Sequence, residues 1–120
     1  MRVLVADDST VMRRIVVRTL RQAGIDFDEV LEAADGRQAY EAALADGPDL
    51  VLSDWNMPEM TGIESLRAIR AAGSDVLFGF VTSEGSDEMR AEAEAAGASF
   101  LITKPFTAET FRDALEPFVD

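Results

Sequence analysis

The chain of 120 residues carries 11 basic and 23 acidic side chains, a net charge of −12, with 48% hydrophobic residues and neither cysteine nor histidine. That is enough apolar material for one domain, spanning 1–120, with a filled core, and it excludes disulfides, thiolate zinc sites, cysteine nucleophiles and Ser-His triads. The acidic balance argues against nucleic-acid partners, whose affinity comes from lysine and arginine, and the apolar runs fall far short of the ~20 residues of a membrane-spanning helix.

Apolar, β-branched runs alternate with helix-period segments along the whole chain. Arg2 to Ala6 reads as a short strand ending at Asp7-Asp8. Ser9 or Thr10 can cap the helix that follows, with Met12, Ile15, Val16, Leu20 and Ala23 on one face and Gly24 closing it. Asp28 to Glu32 is a weaker strand. Asp35-Gly36 then opens a helix with Ala39, Tyr40, Ala43 and Leu44 inward, stopped by Gly47-Pro48. Leu50 to Ser53 is a buried strand that delivers Asp54. A loop with Met57-Pro58 and Gly62 leads to a helix with Leu66 and Ile69 inward, ended by Gly73. Val76 to Val81 is the fourth strand and Ser86 to Ala96 a helix of small inward residues, followed by Gly97. Phe100 to Thr103 is the fifth strand. Thr107 caps a last helix with Phe111, Ala114, Leu115 and Phe118 on one face, and Pro117 should fray its final turn.

Strictly alternating strands and helices predict an α/β fold, a doubly wound parallel sheet with right-handed crossovers. Ligands of such sheets sit beyond the carboxyl ends of the strands. Asp7 and Asp8 end the first strand, Asp54 the third, Thr82 the fourth and Lys104 the fifth. Each residue alone has an ordinary explanation: a charge at a helix amino end, a turn, a cap, a solvated lysine. Their convergence on one sheet edge sets those explanations aside. Three carboxylates in one place repel one another unless a cation sits among them. Magnesium, which takes a few carboxylates together with phosphate oxygens, fits such a cluster. Metal, lysine, hydroxyl and carboxylate are the parts of phosphoryl transfer, and a carboxylate can be the nucleophile.

These residues resemble the receiver domain of two-component response regulators, most closely the single-domain chemotaxis (CheY-like) type. The resemblance rests on VADDS, SDWNMPEMTG, Thr82-Ser83-Glu84 and Lys104-Pro105-Phe106, in order along essentially the whole chain. It implies the flavodoxin-like (βα)5 fold with strand order 2-1-3-4-5, a family order that general rules for open sheets already describe. It makes Asp54 the phosphoacceptor. Asp8, Asp54 and the Asn56 carbonyl would hold Mg²⁺, with Asp7 acting largely through water. Thr82 would bind a phosphoryl oxygen and Lys104 the phosphate and Asp54. Asn56 and Glu84 would tune the lifetime of the phosphorylated state, and the bond before Pro105 is expected to be cis. The implied partners are a histidine kinase or histidine phosphotransfer domain, and an output protein on the fourth helix, fifth strand and fifth helix. A cytoplasmic, stand-alone signalling switch with slow self-hydrolysis is expected, rather than a conventional enzyme.

One position departs from the family pattern. Receivers commonly carry Tyr or Phe three residues before the lysine, whereas here that position is Leu101. Phe100 lies one place earlier and should therefore face the other side of the sheet. Phosphorylation chemistry looks intact, while the switch through Thr82 and Leu101 must work differently. Gly79 suggests a large neighbour filling space beside the fourth strand. Arg13, Arg14, Arg18 and Arg21 are expected along the outer side of the first helix, as a solvated face or a docking stripe. Two enzyme-like or cofactor alternatives fit less well. A dehalogenase-type aspartate phosphatase needs a D-x-D motif, but Asp7 and Asp8 are adjacent; a flavin carrier would not place acids after the first strand. A receiver cut from a longer regulator remains the other possibility.

Overall fold

Side chains alternate along each strand between two apolar layers, and this alternation fixes where the helices go. In the computed structural model, which describes residues 1–119, the order is β1 (Arg2–Ala6), α1 (Thr10–Gln22), β2 (Glu29–Ala33), α2 (Gly36–Asp46), β3 (Leu50–Ser53), α3 (Gly62–Ala71), β4 (Leu77–Thr82), α4 (Asp87–Ala96), β5 (Phe100–Thr103) and α5 (Ala108–Leu115). The five strands are parallel, in the order β2-β1-β3-β4-β5. The expected order is thus observed. Leu4, Val51, Phe78 and Phe80 join residues of α2 and α3 and Ala93 of α4 in one core. Val3, Val5, Leu50, Leu52, Val81 and Ile102 join α1 and α5 in the other.

Local signals account for the helix starts. Ser9, Asp35, Thr61, Ser86 and Thr107 are the N-caps, each accepting a hydrogen bond from a backbone N–H of the first turn. Gly24, just past α1, has φ +79°, the left-handed conformation expected there. The Lys104–Pro105 bond is cis, as the resemblance implied.

Several expectations shift. β2 and β4 each begin and end one residue later than the apolar runs suggested, so Thr82 belongs to the strand. Leu44 was expected inward but is 41% exposed, because the α2 face is narrow and Ala39 and Ala43 fill it. α5 stops at Leu115 ahead of Pro117, and Phe118 leaves the helical face. Its ring instead approaches Phe100, at 6.2 Å between centroids.

Phe100 and Leu101 do point to opposite layers: Phe100 packs with the α1–α5 core and Leu101 with the other. Gly79 pairs with Phe100 in register, and a Cβ on Gly79 would lie 2.0 Å from the Phe100 ring. The ring therefore occupies the volume of the missing side chain. Gly79→Ala should cost about 1–3 kcal/mol, the usual penalty of overpacking, and Phe100→Val should recover part of it in the double variant. Urea unfolding of both single variants and the double variant checks this; strictly additive costs would mean the two residues do not share space.

Candidate functional site

The loops leaving β1, β3, β4 and β5 bring every acidic, hydroxyl and basic candidate to one edge of the sheet. Asp7 is held at each polar atom of its side chain. Ser9 N–H donates to Oδ1 at 2.9 Å and Lys104 Nζ to Oδ2 at 3.2 Å. Its own N–H donates to the Ala33 carbonyl of β2 at 3.0 Å, and the residue is only 4% exposed. Asp8, the next residue, is exposed, and its carboxylate has no hydrogen-bond or ion-pair partner among the described residues.

Asp54 sits across from this pair because β3 is the neighbour of β1. Its N–H donates to the Ala6 carbonyl at 2.8 Å. Oδ1 accepts the Trp55 N–H at 2.7 Å, and Oδ2 lies 3.5 Å from Lys104 Nζ. Underneath, α3 begins at Gly62, where a Cβ would fall 2.1 Å from the Asp54 carbonyl oxygen. Only a glycine lets the helix start so close. The Trp55 ring packs on Phe80 at 4.7 Å and closes the floor.

Thr82 is fully buried at the end of β4, its hydroxyl accepting the Glu84 N–H at 3.2 Å. Lys104 N–H donates to the Thr82 carbonyl at 2.7 Å, which ties the β4 and β5 loops together. Asn56 Nδ2 donates to Glu84 Oε1 at 3.3 Å, bridging the β3 and β4 loops. Leu101 is half-buried on the α4 side.

One carboxylate oxygen each from Asp7, Asp8 and Asp54 lies within 4.8 Å of the others. Burial pushes the Asp54 carboxyl above its ordinary value and the charge of Asp7 adds to the rise, while Lys104 and the Trp55 N–H pull it down. Lys104 alone does not cancel the cluster. The donors are hard oxygens, one of them unpartnered, and Asp54 resists ionisation without a further positive charge. That donor set fits a divalent oxygen-seeking cation such as Mg²⁺.

The arginine stripe divides. Arg14, Arg18 and Arg21 do face outward, lining a cavity of about 390 Å³ with Val17, Val30 and Glu32. Arg13 does not belong with them. It turns toward β2, donating to Glu32 Oε1 at 2.8 Å, to Thr10 Oγ1 at 3.1 Å and to the Asp7 carbonyl. Sequence reasoning also missed Gly36, where a Cβ would strike the Met60 carbonyl at 1.9 Å and displace the loop carrying Asp54. Glycine directly after a good N-cap was the available signal for both Gly36 and Gly62.

Residues 3–116 match the family model for the response regulator receiver domain, and the chain belongs to that family, the receivers of two-component signalling. Within it the similarity is to chemotaxis proteins. The chain is 39% identical over 119 residues to chemotaxis protein CheY1 of Helicobacter pylori, covering 97% of this chain and 94% of the relative. It is also 39% identical over 120 residues to chemotaxis protein CheY of Pseudomonas aeruginosa, with the same shares covered. The solved structure of Vibrio cholerae chemotaxis protein CheY4 superposes with a TM-score of 0.84 at 38% identity, covering 98% of both chains. This is a receiver of CheY type.

The raised Asp54 value has a consequence for stability. A carboxyl whose folded value lies above its unfolded one contributes stability that is intact at low pH and lost as pH rises through the folded value. Asp54→Asn should therefore raise the melting temperature at pH 7 in metal-free buffer. The gain should shrink as pH falls below the Asp54 value, and Mg²⁺ should shrink it too by stabilising the native chain alone. Thermal unfolding across a pH series, with and without Mg²⁺, measures this. A variant melting below the native protein at pH 7 would contradict it.

Proposed function

We propose that the chain, as a single receiver domain over 1–120, accepts a phosphoryl group on Asp54 and acts in the cytoplasm as a chemotaxis-type switch. The observation that carries this reading is the Asp54 carboxylate, placed between Lys104 and the acidic pair with the Thr82 hydroxyl at the adjoining strand end. Trp55 N–H and Lys104 hold the carboxylate in one orientation, so its attack on phosphorus starts from a fixed geometry.

The donor is a phosphohistidine of a kinase or phosphotransfer domain. A carboxylate oxygen of Asp54 bonds to phosphorus as the P–N bond breaks, and the electron pair returns to the imidazole nitrogen. Lys104 moves from Asp54 toward the arriving phosphoryl oxygens, and Thr82 donates its hydroxyl to one of them. Asp8, Asp54 and the Asn56 carbonyl would hold Mg²⁺, with Asp7 acting largely through water, and the ion would neutralise charge on the transferring group. Water later attacks phosphorus, the acyl P–O bond breaks, and inorganic phosphate leaves. Asn56 and Glu84, bonded across the mouth of the site, control that water's access and so the lifetime. Output proteins bind the α4–β5–α5 face; neither nucleic acid nor membrane is involved. No helix among the described residues is long and apolar enough to cross a membrane.

Incubation with Mg²⁺ and acetyl phosphate should add one base-labile phosphoryl group to the native protein and none to Asp54→Asn. Intact-mass spectrometry reads the result, and stoichiometric labelling of the variant would move the acceptor elsewhere.

Leu101 sets the read-out. A leucine is buried at little cost in either loop position, so it does not report strongly on where Thr82 lies. A beryllofluoride phosphate mimic should thus shift the Thr82 loop but perturb the α4 and β5 amides only modestly. Leu101→Tyr should enlarge those chemical-shift changes. Large native changes that tyrosine does not increase would place the switch elsewhere, with Phe100 and Gly79 the next candidates.

A further inference from the structure

Asp8 is the one member of the acidic cluster whose carboxylate no other described residue holds, so where it sits depends on the backbone that carries it. The backbone unit in question is the Asp7–Asp8 peptide. Its carbonyl oxygen, that of Asp7, accepts a hydrogen bond from Arg13 Nη1. The same guanidinium donates through Nε to Glu32 Oε1 at 2.8 Å and through Nη2 to Thr10 Oγ1 at 3.1 Å. The Arg13 side chain is only 12% exposed, whereas Arg14, Arg18 and Arg21 beside it face solvent. A rigid planar fork with three acceptors on three segments has little freedom to turn. Glu32, on edge strand β2, also compensates a positive charge that would otherwise stand beside the cation site.

We propose that Arg13 is a positioning residue for the divalent-cation site: anchored by Glu32, it fixes the Asp7–Asp8 peptide plane and so aims the Asp8 carboxylate. This rests on the reading of Asp7, Asp8 and Asp54 as the Mg²⁺ site. Groups that orient metal ligands without touching the metal commonly govern affinity as strongly as this role requires.

The test exploits opposite signs. If Arg13 acted through its charge, deleting it would remove a repulsion and tighten Mg²⁺ binding. As a positioning residue its loss must weaken binding. Mg²⁺ titrations followed by Trp55 fluorescence should show roughly tenfold weaker binding for Arg13→Ala. Arg14→Ala removes the same charge without the Asp7 contact and should leave affinity native or slightly tighter. Arg13→Lys keeps charge and stem but not the fork, and should also bind more weakly than native. In metal-free protein, Arg13→Ala and Arg13→Lys should move the Asp8 and Ser9 amide resonances, and Arg14→Ala should not. Native or tighter affinity in both Arg13 variants overturns the assignment, as do unmoved Asp8 and Ser9 amides. A merely structural arginine would lower the melting temperature and leave the affinity of the folded protein alone, which also overturns it. If native protein and Asp8→Ala both lack any Mg²⁺ response, the metal reading itself fails and takes this proposal with it.

Discussion

Like charges brought together at one sheet edge are the constraint around which this molecule is arranged. Parallel β1 and β3 are neighbours, so the carboxylates that follow them must face each other. The chain answers with its one lysine, set between Asp7 and Asp54 at 3.2 and 3.5 Å. That leaves a negative balance, and the three carboxylates share it unequally. Asp7 is pinned, Asp54 is half-buried and reluctant to ionise, and Asp8 stands open to solvent. An unequal cluster of this kind, open at Asp8, fits a hard cation at its acidic side.

The supporting structure is correspondingly stiff below the site and polar above it. Trp55 against Phe80, and Phe80 against Phe78 at 5.2 Å, make an aromatic floor under Asp54. Gly62 and Gly36 let two helix starts press on the loop between Asp54 and Thr61. Above, the contacts are single hydrogen bonds between loops: Asn56 to Glu84, and the Lys104 N–H to the Thr82 carbonyl. Rearranging such bonds would leave the packed floor untouched.

Much of this was legible beforehand because the relevant signals are local. Strand runs, caps and closing glycines gave ten elements in the right order, and strand ends gave the convergence of Asp7, Asp8, Asp54, Thr82 and Lys104. What escaped was non-local. Helical periodicity assigns Arg13 to a face but not to a partner, and Glu32 is nineteen residues away in sequence. Leu44 has the spacing of a core residue, yet whether alanines already fill that space is decided by the neighbouring helix. Phe118 has the spacing too, but Pro117 ends the helix that would have turned it inward. Strand boundaries slipped by one residue at β2 and β4, where pairing with neighbours, not composition, sets the ends.

The ring of Phe100 lying where Gly79 has no side chain also bears on how this sequence could have been reached, and where it can go. The two positions are separated along the chain but occupy one volume. A lineage cannot enlarge position 79 first without passing through a clash, nor shrink position 100 first without opening a void. Positions 79 and 100 are therefore bound to change together, or through an intermediate that carries one of these two penalties.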